Sequence, residues 1–518
     1  MKRSRTWSSV CSMDDVLPGT GVAALIADHQ IAIFRVGDAV YALDNFDPHS
    51  DSNVLSRGIV GDLNGEPVVA SPVYKHHFNL ATGRCLEDAD RSVRAWPVRV
   101  VDGVIWIKPE ARPLAKRRKL VVIGNGMAGM KVVEELLAIA GQPYDITVFG
   151  AEPYPNYNRI LLSPLLAGDK QFDDIVLNSI DWYRDNGVTL HLGDAVERID
   201  RIRRVVISRA GVVAHYDRLL LATGSNPIVL PVPGNDLPGV VTFRDLRDVN
   251  HMLAAARAHS KAVVIGGGLL GLEAAHALLK QGMTVTVVHL LDVLMERQLD
   301  PPAAQMLRQS LERRGLRFHM PAKTTAILGP AHVSGVQFAD GASLEADLVV
   351  MAAGIRPSID LARDAGLRCD RGILVDDTLQ TFDPCIYAVG ECVQHRNSTY
   401  GLVAPLFEQA RICAMHLAEV GLGRYAGSMS ATQLKVTGID VFSAGDFLGG
   451  PNSEALVLRD ARRGIYKRVV IENNKVRGAV LYGDIRDGAW YCELMQAGSD
   501  VGALRDKLIF GAAVAAKQ

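Results

Sequence analysis

Twice in this chain an apolar, β-branched run ends in a Gly-x-Gly-x-x-Gly turn that opens directly onto a helical pattern. The first is Leu120-Val-Val-Ile-Gly124-Asn-Gly126-Met127-Ala128-Gly129, followed by Met130-Lys-Val-Val-Glu-Glu-Leu-Leu with apolar residues at helical spacing. The second is Lys261-Ala-Val-Val-Ile-Gly266-Gly-Gly268-Leu269-Leu270-Gly271, followed by Leu-Glu273-Ala-Ala. Strand, tight turn and helix in that order make the opening of a dinucleotide-binding fold. The glycines let the backbone approach a pyrophosphate, whose charge is met by amides and the positive dipole end of the helix. One such motif constrains little, because Gly-rich turns are common. Two with the same flanks predict a pair of dinucleotide folds holding a pair of dinucleotides.

At 518 residues the chain has room for roughly three to four modules of ordinary domain size. Hydrophobic residues at 48% and charged residues at 22% suit a globular protein, and no apolar run is long and uninterrupted enough to span a bilayer. A formal net charge of -1 gives no electrostatic ground for nucleic acid or membrane as a partner. The start, Met1-Lys-Arg-Ser-Arg-Thr-Trp, lacks the apolar segment of a secretory signal, so a cytoplasmic protein is expected. The seven cysteines are scattered and odd in number, which argues against a disulfide framework. No Cys-x-x-Cys occurs, which removes the redox dithiol, the zinc ribbon and the usual iron–sulfur spacings together.

Residues 8 to 108 read as all-β, with alternating runs such as Gln30-Ile-Ala-Ile-Phe-Arg-Val separated by Gly, Asp and Pro. The pattern Asn45-Phe-Asp47-Pro-His49, followed by Ser71-Pro-Val-Tyr74-Lys-His76-His77, resembles a Rieske domain, whose [2Fe–2S] centre needs Cys-x-His and Cys-x-x-His. Asp47, Ser71 and Tyr74 stand where a Cys, a Cys and a His are required, and thiolates are what hold sulfide-bridged irons. No iron–sulfur cluster and no other metal is expected, and His49, His76 and His77 read as solvated loop histidines. Such a cluster-less domain resembles the small subunit of bacterial NAD(P)H-dependent assimilatory nitrite reductase. Residues 109 to 118, Pro-rich and basic, read as a linker.

After the first glycine motif, Ile146-Thr-Val-Phe predicts the second strand, and Glu152 is the nearest acid beyond it to bind the adenosine ribose. Asn156-Tyr-Asn-Arg159-Ile-Leu-Leu-Ser163 is similar to the segment passing beside the flavin in ferredoxin, rubredoxin and nitrite reductases of the pyridine-nucleotide type. Pro164 replaces the Lys that many of them carry, leaving Arg159 as the positive group there. Ala222-Thr223-Gly224 looks like the turn at which the chain leaves the flavin domain, and Ala352-Ala-Gly354-Ile-Arg-Pro like its return. Between them, the coenzyme-selecting position at the end of Thr284-Val-Thr-Val-Val288 is His289, neither an acid nor an Arg, so NADH and NADPH both stay open. Thr381-Phe-Asp-Pro-Cys-Ile-Tyr-Ala-Val-Gly390-Glu391 is similar to the second FAD signature, with Glu391 supplying the carboxylate for the ribityl hydroxyls.

The resemblance covers nearly the whole chain. It points to the FAD- and NAD(P)H-binding half of bacterial assimilatory nitrite reductase, in the pyridine nucleotide-disulfide oxidoreductase superfamily, preceded by the small-subunit-like domain. It implies a multidomain fold: an all-β Rieske-like domain (1–108), a linker (109–118), an α/β FAD domain (119–229 and 354–425), an NAD(P) domain (230–353) and a small α+β interface domain (426–518). FAD and NAD(P)H are the implied cofactors, with Gly266, Gly268, Gly271 and Glu273 placing the nicotinamide, and no side chain is given a catalytic role. The chain ends before any Cys-rich segment for a sirohaem centre. Electrons are therefore expected to leave for a redox partner, a sirohaem nitrite reductase or nitrate reductase subunit, with a homodimer as one candidate assembly. The alternatives are a rubredoxin or ferredoxin reductase and a slow-turnover NAD(P)H-binding scaffold.

Overall fold

Alternation in the amino-terminal unit builds strands whose opposite faces feed different cores. In His29–Val36, Ile31 and Ile33 point into one cluster with Trp96 and Ile105, while Ala32 and Phe34 point into another with Leu43 and Phe78. Three three-stranded antiparallel sheets result, and that strand is central to the one it forms with Gly21–Ile26 and Ala39–Asp44. The computed structural model describes residues 7–26, 29–108, 117–140, 144–420, 423–428, 431–436 and 438–515. It divides into one unit over Met1–Lys116 and a larger one over Arg117–Gln518. The basic start at residues 1–6 and the Pro-rich stretch 109–116 lie outside the described residues. Arg118, expected as the last linker residue, is already in a strand, paired with Tyr144.

In the larger unit, β1 (Arg118–Ile123), β2 (Tyr144–Gly150), β3 (Val188–Leu192) and β4 (Arg218–Leu221) are parallel. Leu120, Val121, Val122 and Ile123 are all buried, as expected of a strand covered on both faces. A second parallel sheet contains β5 (Val240–Thr242), β6 (Lys261–Ile265), β7 (Thr284–Val288), β8 (Arg317–His319) and β9 (Leu348–Met351), in the order β5-β9-β6-β7-β8. The chain then returns, and β10 (Ile386–Ala388) joins β4, so that the first sheet runs β3-β2-β1-β4-β10. In each sheet the strand order reverses beside the Gly-bearing strand, between β1 and β4 and between β6 and β9. That reversal opens a crevice at the strands' carboxyl ends. The passages between the two sheets, Ser225–Pro227 and Ile355–Pro357, pair antiparallel.

The helices that matter to these crevices are α1 (Met127–Ala140), α2 (Leu162–Leu166), α3 (Leu246–Ala258), α4 (Leu269–Lys280), α5 (Pro301–Arg313) and α6 (Val403–Leu417). Met130 and Val133 of α1 share a core with Ala410 and Cys413 of α6. The carboxy-terminal sheet has strands β11 (Ala431–Val436), β12 (Ile439–Gly445), β13 (Glu454–Asp460), β14 (Ile465–Glu472) and β15 (Lys475–Tyr482), in the order β11-β12-β15-β14-β13. It packs on the second nucleotide fold: Val441 and Tyr482 share a cluster with Leu307 and Leu311 of α5, and Tyr466 Oη donates to the buried Asp300 carboxylate at 2.5 Å. Among the described residues no helix is long and apolar enough to cross a membrane.

Candidate functional site

The two glycine turns are the same object built twice. A methyl group on Gly124 would sit 2.1 Å from the Ala222 carbonyl oxygen, just past β4, and one on Gly266 would sit 2.2 Å from the Ala352 carbonyl oxygen, just past β9. Both residues have positive φ, +115° and +131°, where glycine alone is unstrained. The third glycines are wedged in the same way: a Cβ on Gly129 would lie 2.7 Å from the Gly124 oxygen, and one on Gly271 would lie 2.0 Å from the Gly266 oxygen. The middle glycines differ in kind. A Cβ on Gly126 or on Gly268 meets no protein atom within 4 Å. Each middle glycine therefore faces a space bounded by the first turn of a helix, the shape and polarity that suit a pyrophosphate.

Met127 and Ala128 begin α1, and a methyl on Gly390 would lie 3.0 Å from the Ala128 Cβ, so the second flavin signature closes over the first turn. Leu269 and Leu270 begin α4 in the same relation to Gly268, with Leu270 exposed. Thr223 Oγ1 donates to the Ser358 carbonyl at 2.7 Å, and the Ser358 amide donates to the Gly224 carbonyl at 2.9 Å. Gly354, at φ +113°, accepts from the Ile228 amide at 2.9 Å. These bonds tie the two passages between the folds into one ribbon.

The acids assigned from sequence all have partners. Glu152 accepts from Tyr157 Oη at 2.7 Å and forms an ion pair with Arg159, whose guanidinium also donates to the Arg244 carbonyl at 3.1 Å. Burial acts against the charge on Arg159, but Tyr157 and Glu152 more than offset it and hold the guanidinium protonated. Glu391 forms an ion pair with Arg244 and accepts from Ser225 Oγ at 2.8 Å. Glu273 accepts from Ser163 Oγ at 2.6 Å. His289 is pinned: its Nδ1 accepts from the Gly267 amide at 3.0 Å, and its Nε2 lies 3.1 Å from the Val293 carbonyl and 3.4 Å from Glu296. Sequence reasoning missed Arg244 and Gln409. The latter is fully buried and accepts from the Gly390 amide at 2.9 Å. Arg244 sits in no motif, and Gln409 lies in the Tyr400–Ala410 stretch that reads only as a loop entering a helix, so their partners are what reveal them.

In the amino-terminal unit the residues expected from sequence at the Rieske ligand positions form a hydrogen-bond network. Asp47 is fully buried and accepts from Ser71 Oγ at 2.5 Å, Ser50 Oγ at 2.9 Å and the His49 amide at 2.9 Å. Tyr74 points outward, His49 stacks on His76 at 3.6 Å, and His77 pairs with Glu87 at 2.6 Å. Among the described residues no group of His, Cys, Asp and Glu is arranged to hold a metal ion. Burial pushes the Asp47 carboxyl up, yet donation from Ser71, the His49 amide and Ser50 outweighs it and leaves the pKa below the usual carboxylate range. Its stabilising contribution is therefore complete above that range and is lost as pH falls through the depressed value. Asp47→Ala should cost this unit more than about 4 kcal/mol, since each of three hydrogen bonds to a buried charged carboxylate is worth roughly 1.5–3 kcal/mol. A lowered denaturant midpoint checks it.

Comparison with known proteins places these features. Residues 118–414 match the pyridine nucleotide-disulphide oxidoreductase family, residues 6–108 the Rieske-like [2Fe-2S] domain, and residues 431–499 the rubredoxin NAD+ reductase C-terminal domain. The chain is 49% identical over 385 residues to a nitrite reductase [NAD(P)H] of Bacillus subtilis, covering 74% of this chain and 48% of the relative. It is 43% identical over 394 residues to the assimilatory nitrate reductase electron transfer subunit of the same organism, covering 76% and 51%. The chain thus spans about half the length of these curated relatives. The solved putidaredoxin reductase–putidaredoxin complex superposes with a TM-score of 0.69 at 26% identity, covering 77% of this chain and 99% of that one. With a family match running over both glycine cradles and the ribbon between them, the chain belongs to the pyridine nucleotide-disulphide oxidoreductase family and is an oxidoreductase.

Proposed function

We propose that this protein is an FAD-dependent NAD(P)H oxidoreductase that passes electrons to a separate nitrite or nitrate reductase subunit in nitrate assimilation. The observation that carries the reading is the pair of matched cradles, each wedged by its outer glycines and open at its middle one. The likeness to a nitrite reductase and to a nitrate reductase electron transfer subunit supports the acceptor. We assign FAD to the crevice between β1 and β4 and NAD(P)H to that between β6 and β9. When bound, FAD takes a hydride from NAD(P)H and releases electrons to an acceptor.

Around the flavin, Gly124, Gly126, Gly129, Met127 and Ala128 offer amides and helix dipole to the pyrophosphate, Glu152 serves the ribose, and Glu391 serves the ribityl chain. Arg159 and Arg244, each already paired with one of those acids, bring positive charge to the same site. Ala222, Thr223, Gly224, Gly354 and Gly390 let the backbone run close by. Gly266, Gly268, Leu269, Leu270 and Gly271 do for the coenzyme what the first motif does for FAD, with Glu273 and His289 at its two ends. The amino-terminal unit holds no cluster, because Asp47 and Ser71 bond to each other where thiolates would be needed. The protein acts in the cytoplasm. A small electron carrier is the second acceptor reading, favoured by the likeness to putidaredoxin reductase and the carboxy-terminal module match.

Anaerobic titration of the purified protein with NADH and NADPH tests the core of this: the flavin should bleach with one or both, then recover its colour on mixing with a sirohaem nitrite reductase subunit. A flavin that neither coenzyme reduces defeats the reading, and recovery only with a rubredoxin or ferredoxin selects the second acceptor. Iron analysis and electron paramagnetic resonance of the reduced protein should show no iron and no Rieske-type signal. Such a signal would overturn the assignment of the amino-terminal unit.

A further inference from the structure

We infer that Arg244, although it belongs to the coenzyme fold, is a positioning residue of the flavin site: it clamps one oxygen of the Glu391 carboxylate and so leaves the other for the ribityl hydroxyls of FAD. The inference rests on the reading of the crevice between β1 and β4 as the FAD site. Arg244 lies between β5 and the amino end of α3, whose N-cap is Asp245. Glu391 follows Gly390 just past β10, in the flavin fold. Their ion pair spans 147 positions of sequence and crosses from one nucleotide fold to the other.

The protein contacts of this carboxylate fall on a single atom. Ser225 Oγ donates to Oε2 at 2.8 Å and the Arg244 guanidinium pairs with the same Oε2, while among the described residues no group donates to Oε1. With the Glu391 side chain only 14% exposed, Oε1 is a largely enclosed acceptor with its capacity unused, and a ligand hydroxyl is a donor of matching kind. Arg244 is set in place through its main chain. Its carbonyl accepts from Arg159 Nη1 at 3.1 Å, and its amide donates at 2.7 Å to Asp248, which also accepts from Thr242 Oγ1 at 2.9 Å. The neighbouring acids are engaged elsewhere: Asp248 with those donors, and Asp245 in capping α3, 3.6 Å from Arg247. A methyl group on Gly224 would sit 3.8 Å from Arg244 Nη2, so the guanidinium lies against the turn at which the chain leaves the flavin fold. Arg159 pairs in turn with Glu152, so the acids assigned to the two ends of FAD are joined through Arg244. Without Arg244, Glu391 would be an unpaired charge inside a crevice assigned to an anionic cofactor, an arrangement that burial makes costly.

Equilibrium dilution of the flavin-loaded, full-length protein, followed by the flavin fluorescence regained on release, tests this with a readout separate from turnover. Arg244→Met should weaken FAD binding roughly tenfold to a hundredfold, the value of one charged hydrogen bond. Arg244→Met combined with Glu391→Gln should bind FAD about tenfold tighter than Arg244→Met alone, because no unpaired charge is left and the amide oxygen still accepts from Ser225. A merely structural role for Arg244 would not be rescued by neutralising an acid of the other fold. Should Arg244→Met not fold, Arg244→Gln carries the same comparison. Unchanged FAD affinity in the single variant, or a double variant no tighter than the single one, overturns the inference. The wild-type protein keeps the wider reading separate: if it binds no FAD, the assignment of the crevice falls together with the inference. Wild-type and Arg244→Met proteins that hold FAD equally tightly defeat only the role of Arg244.

Discussion

Gly126→Val should yield a folded protein that purifies colourless. The Cβ at this position meets no protein atom within 4 Å, and the backbone there is not in the left-handed region, so the chain itself tolerates the side chain. What the isopropyl group fills is the space before the first turn of α1, where the pyrophosphate of FAD is assigned. The neighbouring glycine gives the contrast. Gly124→Val must clear the Ala222 carbonyl oxygen, only 2.1 Å from an added Cβ, and adopt φ +115°. Overpacking and backbone strain together should cost more than about 4 kcal/mol and give insoluble or molten protein. Absorbance in the flavin band, read beside circular dichroism, separates the two failures. A Gly126→Val protein that is yellow and fully loaded sinks the assignment of FAD to this crevice.

Replacing His289 by Glu should shift coenzyme preference toward NADH by roughly ten- to a hundredfold in relative kcat/KM, the value of a charged hydrogen bond worth ~1.5–3 kcal/mol. One carboxylate oxygen can take over the Gly267 amide that the imidazole now holds at 3.0 Å. The other is then free for the ribose hydroxyls, and its charge opposes the 2′-phosphate of NADPH. The structure adds a condition that spacing alone did not carry. Glu296 lies 3.4 Å from His289 Nε2, so the new carboxylate would face a like charge. The single variant should therefore fall at the lower end of the range, and His289→Glu with Glu296→Gln at the upper end. Steady-state kinetics with both coenzymes decide it. An unchanged ratio in both variants means that the ribose is read from another loop.

Local chemistry was enough to make the twin nucleotide folds legible from the sequence. A buried parallel strand needs a continuous β-branched run, the turn needs glycine where φ is positive or backbones touch, and the helix must follow at once. All of this is written within about 15 adjacent residues. That Asp47 and Ser71 stand where the Rieske resemblance expects thiolates was legible for the same reason, since residue identity is a property of single positions. What they bond to was not. Asp47 finds Ser71 across 24 positions, Ser163 finds Glu273 across 110, and Arg244 finds Glu391 across 147. His289 read as a vacancy in a rule, and the folded chain makes it a clasp on the Gly267 amide. An acid or an arginine in sequence carries only its charge and its reach. Which partner it meets is decided once the sheets have formed and burial makes an unpaired charge too costly to leave, and that choice belongs to the tertiary structure alone.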